Sequence, residues 1–266
     1  MQSEKKFITD GIKQNCRCDG RGILSSRRIK IEKGVCTLSP GSAQLNIELS
    51  SPHIICGCKL EIGVPEVEDE GIVNLSIELA GKSLMTDKER MAEVKSLIEM
   101  LMLNYFNKKQ LCIIPGRKCW KLFIDVEILD KDASNLIEHI SLTITSALED
   151  VKVLATEGIV NKNTKEEYIE ILDGTVRINI DELPIITTVA QINTSSVLDL
   201  TAEEEGCADS LLHFSIDKNG TIKGIIKENP GRLAVDQVLS AANIAKEVAA
   251  HIFSDLGTGS IKYKLS

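Results

Sequence analysis

Aromatic side chains make up only 3% of the 266 residues, and there is one tryptophan, Trp120. Platforms that stack single-stranded bases need several such rings, so base stacking is excluded as a principal activity. An excess of positive charge is also missing: 31 lysines and arginines against 39 aspartates and glutamates give a formal charge of −8. A chain that grips a nucleic-acid backbone unaided is normally basic, so such contacts must come from a local patch or from partner chains. No apolar run approaches the ~20 residues needed to span a bilayer, and the opening MQSEKKFITDG lacks the apolar stretch of a signal peptide. An intracellular chain without membrane contact is expected, with its eight cysteines reduced. No basic cluster resembles a nuclear import signal. The four histidines are scattered and no GxSxG motif is present, which leaves no nucleophile motif to build on.

What is present is 43% hydrophobic residues arranged in two periods. Alternation with period two marks strands at Ile72 to Leu79, at Leu45 to Leu49 and at Lys121 to Leu129, where Leu122, Ile124, Val126 and Ile128 share one face. Helical spacing follows in three places. Met91, Val94, Ile98, Leu101 and Tyr105 form a stripe behind a Thr86–Glu89 capping box, predicting a helix to about Asn107. Ile137, Ile140, Ile144 and Ala147 predict a second over Ser134 to Glu149, and Val235 to Phe253 holds the third. Further strands are predicted at Thr175 to Ile180, Ile185 to Ile192, Leu211 to Ile216 and Thr221 to Ile226, the last two joined by an Asp217-Lys218-Asn219-Gly220 turn. Each half reads as strands followed by one long helix. The expectation is an α+β fold of duplicated strand-strand-helix units, sheets packed with long helices, divided into 1–160 and 161–266 within one compact subunit. The loop from Asn161 to Glu167 is the expected seam.

The acidic run Val197 to Asp209 brings Asp199, Glu203, Glu204, Glu205 and Asp209 close together in sequence. Converging carboxylates bind hard divalent cations, whereas acids at a helix start answer the helix dipole; both readings are open. The cysteine pairs Cys16/Cys18 and Cys56/Cys58 are spaced to share one side of a strand, which suits packed thiols better than zinc. Pro115-Gly116-Arg117-Lys118 forms a cationic turn, and Lys82, Lys88 and Arg90 surround the start of the first helix, where cations and backbone N–H groups both attract anions. The start of the second helix, Lys131-Asp132-Ala133-Ser134-Asn135, has no glycine or arginine and would hold a phosphate poorly.

Cys18-Asp19-Gly20-Arg21, then Arg27 and Arg28, then Gly41-Ser42-Ala43, then Gly57-Cys58-Lys59-Leu60-Glu61-Ile62-Gly63 together resemble the opening of the RNase PH superfamily. Ile114-Pro115-Gly116 through Trp120, Phe123 to Val126, and Val197-Leu198-Asp199 with Glu203-Glu204 are similar to non-catalytic ring subunits of the RNA exosome, in particular the silent partner in the archaeal ring. The resemblance spans nearly the whole chain, and it is carried by order and spacing. It implies the RNase PH-like fold, akin to ribosomal protein S5 domain 2. It also implies a hexameric ring with other RNase PH-like exosome subunits, S1/KH cap subunits and RNA in the channel.

Departures from the family pattern bear on activity. Catalytic members are implied to carry Gly-Gly-Ser/Thr-Arg where this chain has Asp132, Ala133, Ser134 and Asn135, and two aspartates six apart where it has Glu205 and Asp209 four apart. Ser50, Ser51 and Pro52 replace Gly-Asn-Thr. Without a cation for inorganic phosphate, phosphorolysis loses its main charge stabilisation. The expectation is therefore a structural, non-catalytic subunit without cofactor, supporting 3′-to-5′ RNA processing by partner nucleases, including rRNA processing and mRNA decay, in nucleus (nucleolus) and cytoplasm. Lys88, Arg90 and Arg117 are its candidate RNA contacts, and Glu205 and Asp209 are vestigial metal positions. The alternative is an active phosphorolytic 3′ exoribonuclease using phosphate and magnesium held by Glu205 and Asp209. A third reading is a small-molecule-binding α+β protein acting alone.

Overall fold

The computed structural model describes residues 2–47, 52–81, 85–130, 134–160 and 167–265. Glu48, Leu49, Ser50, Ser51, Lys82, Lys131, Asp132, Ala133 and the loop 161–166, together with the side chains of Pro52 and Thr86, lie outside the described residues. In chain order the elements are α1 (Gln2–Lys13), β1 (Ile29–Lys33), β2 (Gly41–Ile47), β3 (Pro52–Gly63), β4 (Ile72–Leu79), α2 (Met85–Leu101), β5 (Cys112–Ile114), β6 (Lys118–Ile128) and α3 (Leu136–Asp150). There follow β7 (Lys152–Val160), β8 (Glu167–Arg177), β9 (Ile185–Ile192), β10 (Ser195–Leu198), α4 (Ala202–Glu205), β11 (Ser210–Ile216), β12 (Ile222–Glu228), α5 (Val235–Asp255) and β13 (Ser260–Ile261).

Alternation builds the first sheet, ordered β13-β1-β2-β3-β6-β4 with β5 beside β6. Along β6 the apolar positions Leu122, Ile124, Val126 and Ile128 are buried, while Asp125 and Glu127 are exposed. The second sheet has the order β10-β9-β11-β12, and β7 pairs with β8 in a separate ribbon. Every residue of β9 and β11 is buried, because helices cover one side and α1 with its neighbours the other. The turn before β12 follows its sequence: Asp217 Oδ1 accepts from Asn219 N–H and Thr221 N–H, and Gly220 takes φ +77°.

Helix α3 contacts β1, β2 and β3 on one side and β9 on the other. It is consequently buried on all sides from Leu136 to Leu148, Glu138 and His139 included, instead of showing only the stripe its apolar residues define. Burying Ile140, Leu142, Ile144 and Leu148 contributes roughly 1.5–3 kcal/mol each. Helix α2 buries Met91, Val94, Ile98 and Leu101 as its spacing requires, but it stops at Leu101, short of Asn107. Short 3-10 turns continue over Leu103–Tyr105 and Lys108–Leu111, the second capped by the Asn107 side chain accepting from Lys109 N–H.

The structure also differs from the sequence reading, or adds to it, at other places. The strand predicted at Thr175 to Ile180 is the end of the longer β8, which stops at Arg177, and β7 ahead of it was not foreseen. The opening residues form α1, whose Ile8 and Ile12 sit one turn apart and pack on Ala190, Ile192, Val197 and Leu211. The expected seam, 161–166, lies outside the described residues; the strands on either side of it pair, Val160 with Glu167, and one core cluster contains residues from both parts of the compact subunit. Of the cysteine pairs, Cys56 and Cys58 do share the buried side of β3, where each thiol's neighbour and burial push the Cys56 thiol up. Cys16 and Cys18 instead lie exposed in the turn after α1.

Gly158 is where β7 passes close to β5. A Cβ on Gly158 would come within 2.2 Å of Ile114 Cγ1 and 2.8 Å of the Ile113 carbonyl oxygen. Gly158→Val is expected to lower stability by about 1–3 kcal/mol through overpacking, read by urea unfolding; wild-type stability would show that the ribbon does not need this contact.

Candidate functional site

The arginines of the DGR stretch and the acidic run find each other across the chain. After α1, Gly20 adopts φ +77° and the Asp19 side chain accepts from the Arg21 backbone N–H at 3.0 Å, a tight turn that only glycine enters without strain. Asp19 Oδ2 also receives Arg21 Nε at 2.7 Å, which aims the rest of the guanidinium at Asp199 Oδ2, 2.9 Å away. Arg27 donates to the same carboxylate through its backbone N–H at 2.6 Å and through Nη2 at 2.5 Å. One residue group further in, Arg17 binds Glu204 through two bonds, Nε to Oε1 at 2.9 Å and Nη2 to Oε2 at 2.5 Å, and donates to the Leu198 carbonyl. Both side chains of that pair are buried.

These contacts hold the backbone at a conformation it would otherwise avoid. Asp199 has φ +46°, a left-handed value for a residue with a Cβ, and is buried at 2% exposure. Burial pushes its carboxyl upward, but Arg27, with His139 and Arg21, overcomes this and holds it well below the usual carboxylate range. Thr201 then starts α4 with a capping box: its hydroxyl accepts from Glu204 N–H, and Glu204 Oε2 accepts from Thr201 N–H. The acidic run is thus an ion-paired turn and a capped helix start, built of Asp199 and Glu204. Three arginines are committed to internal carboxylates and are withdrawn from binding phosphate.

Beside this turn, at the N-terminus of α3, lies a cavity of about 120 Å³ lined by Arg90, Asn135, Glu205, His213 and Glu228 among others. Pockets for drug-sized ligands run from about 300 to 1,000 Å³, so this one is small. Glu205 Oε2 accepts from the Asn135 backbone N–H at 3.1 Å, and its other oxygen faces Arg90 Nη2 at 3.7 Å. The protein's own carboxylate therefore occupies the helix start where a free anion would be received. Glu228 pairs with His213 at 3.2 Å, a bond that holds the Glu228 carboxyl below its ordinary range. With Glu93 as a third acid, carboxylates outnumber the single arginine in the wall.

The sequence candidates distribute as follows. Glu205 sits in this cavity, while Asp209 is exposed at the other end of the segment, its Oδ2 accepting from Asn193 N–H at 2.6 Å. The two carboxylates accept from backbone N–H groups of different elements, Asn135 and Asn193; among the described residues no set of three or more His, Cys, Asp or Glu side chains is grouped to hold a metal ion. Lys88 and Arg90 are exposed on the first turns of α2, which follows β4 near the end of β6. Arg117 is exposed in the turn at the beginning of β6, where Gly116 has φ +70°. The 11 residues of β6 separate them, by about 35 Å, so Arg117 does not join Lys88 and Arg90 in one patch. Ser134 accepts from Arg27 Nη2 at 3.2 Å, tying the helix start to the arginine cluster. Arg17 was not singled out in the sequence; the signal available was an arginine cluster from 17 to 28 in an acidic chain, facing an acidic run of matching charge.

Residues 25–154 match domain 1 of the 3′ exoribonuclease family (RNase PH) and residues 182–248 match domain 2. The protein called exosome complex component Rrp42 from Methanothermobacter thermautotrophicus is 31% identical over 260 residues, 91% of this chain and 90% of that one. The protein of the same name from Pyrococcus furiosus is 28% identical over 257 residues, 93% and 90% of the two chains. A solved archaeal exosome core superposes with a TM-score of 0.75 at 20% identity, covering 96% of this chain and 97% of that one. An Archaeoglobus fulgidus exosome with RNA bound to the active site gives 0.73 at 20% identity, over 96% and 98%. The two domain matches together cover well over half of the chain, and the chain belongs to the 3′ exoribonuclease family of RNase PH.

Proposed function

We propose that the chain is a non-catalytic subunit of an exosome core ring, standing beside other RNase PH-like subunits and helping RNA reach nucleases elsewhere in the assembly. The observation that carries this is Glu205 on the Asn135 N–H, because it fills the anion position at the start of α3 with a fixed negative charge. Inorganic phosphate would have to displace that carboxylate and enter a wall already rich in acids, against the electrostatics that phosphoryl transfer requires. Asp209, the second acid of the magnesium alternative, accepts from Asn193 N–H instead of from the element Glu205 serves, which supports the same reading. The relatives called exosome complex component Rrp42 support the ring context. S1/KH cap subunits as further partners, roles in rRNA processing and mRNA decay, and residence in nucleus, nucleolus and cytoplasm belong to the same proposal. Lys88 and Arg90 are its RNA contacts, with Arg117 reaching a separate point.

Incubating the purified chain with oligoadenylate, phosphate and magnesium is expected to release no nucleoside diphosphate. Release that disappears in Glu205→Ala or Asp209→Ala would overturn the non-catalytic reading.

A further inference from the structure

The β7–β8 ribbon is unlike the rest of the surface. Among the described strands β8 pairs only with β7, so its outer side is a free edge, regular over the part opposite Thr156 to Val160 and interrupted between Ile171 and Thr175, where the register shifts and Gly174 takes φ +105°. Tyr168, Ile171, Leu172 and Val176 on β8 and Leu154 on β7 are exposed at 42–64%. Long apolar edges are templates for pairing with another chain and are normally blunted by lysine or proline. The β8 sequence EYIEILDGTVR has neither, and its one cation is the terminal Arg177.

A second feature of the ribbon specifies what would cover it. Glu157 and Glu170 are direct cross-strand partners, both exposed, and neither has an ion pair among the described residues. Like charges directly opposite one another destabilise a strand pair, and a cation placed between them reverses the sign. The next pair, Ile159 and Tyr168, continues the same side with apolar surface. A second copy of this chain would bring another acidic pair and another net charge of −8, so self-pairing is opposed. RNA phosphate would meet Glu157, Glu170 and Asp173 and is opposed for the same reason.

We propose that the β7–β8 ribbon is a docking surface for a different protein chain, which adds a strand along β8 and sets a lysine or arginine against Glu157 and Glu170. This rests on the ring-subunit reading and names the chemistry of the neighbouring subunit's contact. Backbone bonds along the edge supply affinity, and the acid pair selects a basic partner.

The test uses the full chain co-expressed with the RNase PH-family subunits of its own organism. Ile171→Asp and Glu170→Lys are each expected to weaken assembly by about tenfold or more, with Glu170→Gln weakening it less. Because both positions are exposed, the free variants are expected to melt with the wild type, and in the wild-type assembly the amides of 168–177 gain protection from hydrogen exchange. Wild-type affinity in both variants, or β8 amides that exchange as in the free chain, overturns the ribbon proposal and leaves the ring reading standing. Failure of the wild-type chain to assemble overturns both. A homodimer of the purified chain that Ile171→Asp abolishes assigns the edge to a second copy and also overturns the proposal.

Discussion

Replacing Arg17 with methionine is expected to cost about 3–5 kcal/mol of stability, because it leaves the Glu204 carboxylate buried without its cation. The geometry decides the size of this effect. Both side chains are almost fully excluded from water and joined by two bonds, so no hydration is available to the charge left behind. Removing both charges in Arg17→Met with Glu204→Met is expected to cost less than the single Arg17 change, since no uncompensated charge remains. Urea unfolding of the two single variants and the double variant measures this. A double variant as unstable as the sum of the singles would show that the pair acts through independent contacts. Where Arg17→Met fails to fold, Glu204→Gln gives the comparison: it keeps the side-chain volume and one accepting oxygen, removes one charge and sets an amide NH2 against the donors that met the other oxygen.

The second large effect depends on pH and resides in α3. Burial raises the Glu138 carboxyl to about 7, partly opposed by the Thr188 N–H that it accepts at 2.8 Å. Its other oxygen accepts from the Tyr263 hydroxyl at 2.9 Å. The adjacent His139 moves the opposite way: burial lowers it to about 4, although Asp199 pulls it upward. For Glu138 the folded value lies above the ordinary 4.5, so its stability is complete below pH 4.5 and is lost as pH rises through 7. For His139 the folded value lies below the ordinary 6.5, so stability present above pH 6.5 is lost as pH falls through 4. Between pH 4.5 and 6.5 folding takes up a proton at one residue and releases one at the next, and the two slopes cancel. Glu138→Gln removes only the first. Its stability relative to the wild type is expected to rise by roughly 3 kcal/mol from pH 4 to pH 8, read from urea midpoints across that range. A difference that does not change with pH would mean that Glu138 is ionised throughout.

What the sequence made legible follows from period. The strands from Ile72 to Leu79 and from Ile185 to Ile192 coincide with β4 and β9, since unbroken alternation or an apolar run needs no tertiary context. β7 and all of β8 before Thr175 escaped because a ribbon with both faces partly wet has no buried side to impose alternation: Ile171 and Leu172 are adjacent and both exposed. Helix α1 escaped because Ile8 and Ile12 alone make its apolar side, too few to stand out in twelve residues. At the candidate site the acidic run was visible as a feature, and its alternatives were left open, because the partners of Asp199 and Glu204 lie more than 170 residues away in sequence. The missing arginine at the start of α3 could be read directly. That Glu205 takes the anion's place there could not, since it depends on how α4 is turned toward Asn135.

Strand β13 carries one more consequence. Ile261 pairs with Ile29 and Ser260 with Lys30, Lys264 bridges to Ser25, and Tyr263 closes on Glu138 inside α3. A sheet whose edge is supplied from residues 260–261 cannot be finished while those residues are still inside the ribosome. The first sheet therefore stays open on its β1 side until residues 260–261 have emerged. Residues 260–261 lie outside both matched stretches, 25–154 and 182–248, so neither stretch by itself supplies the strand that covers the β1 edge.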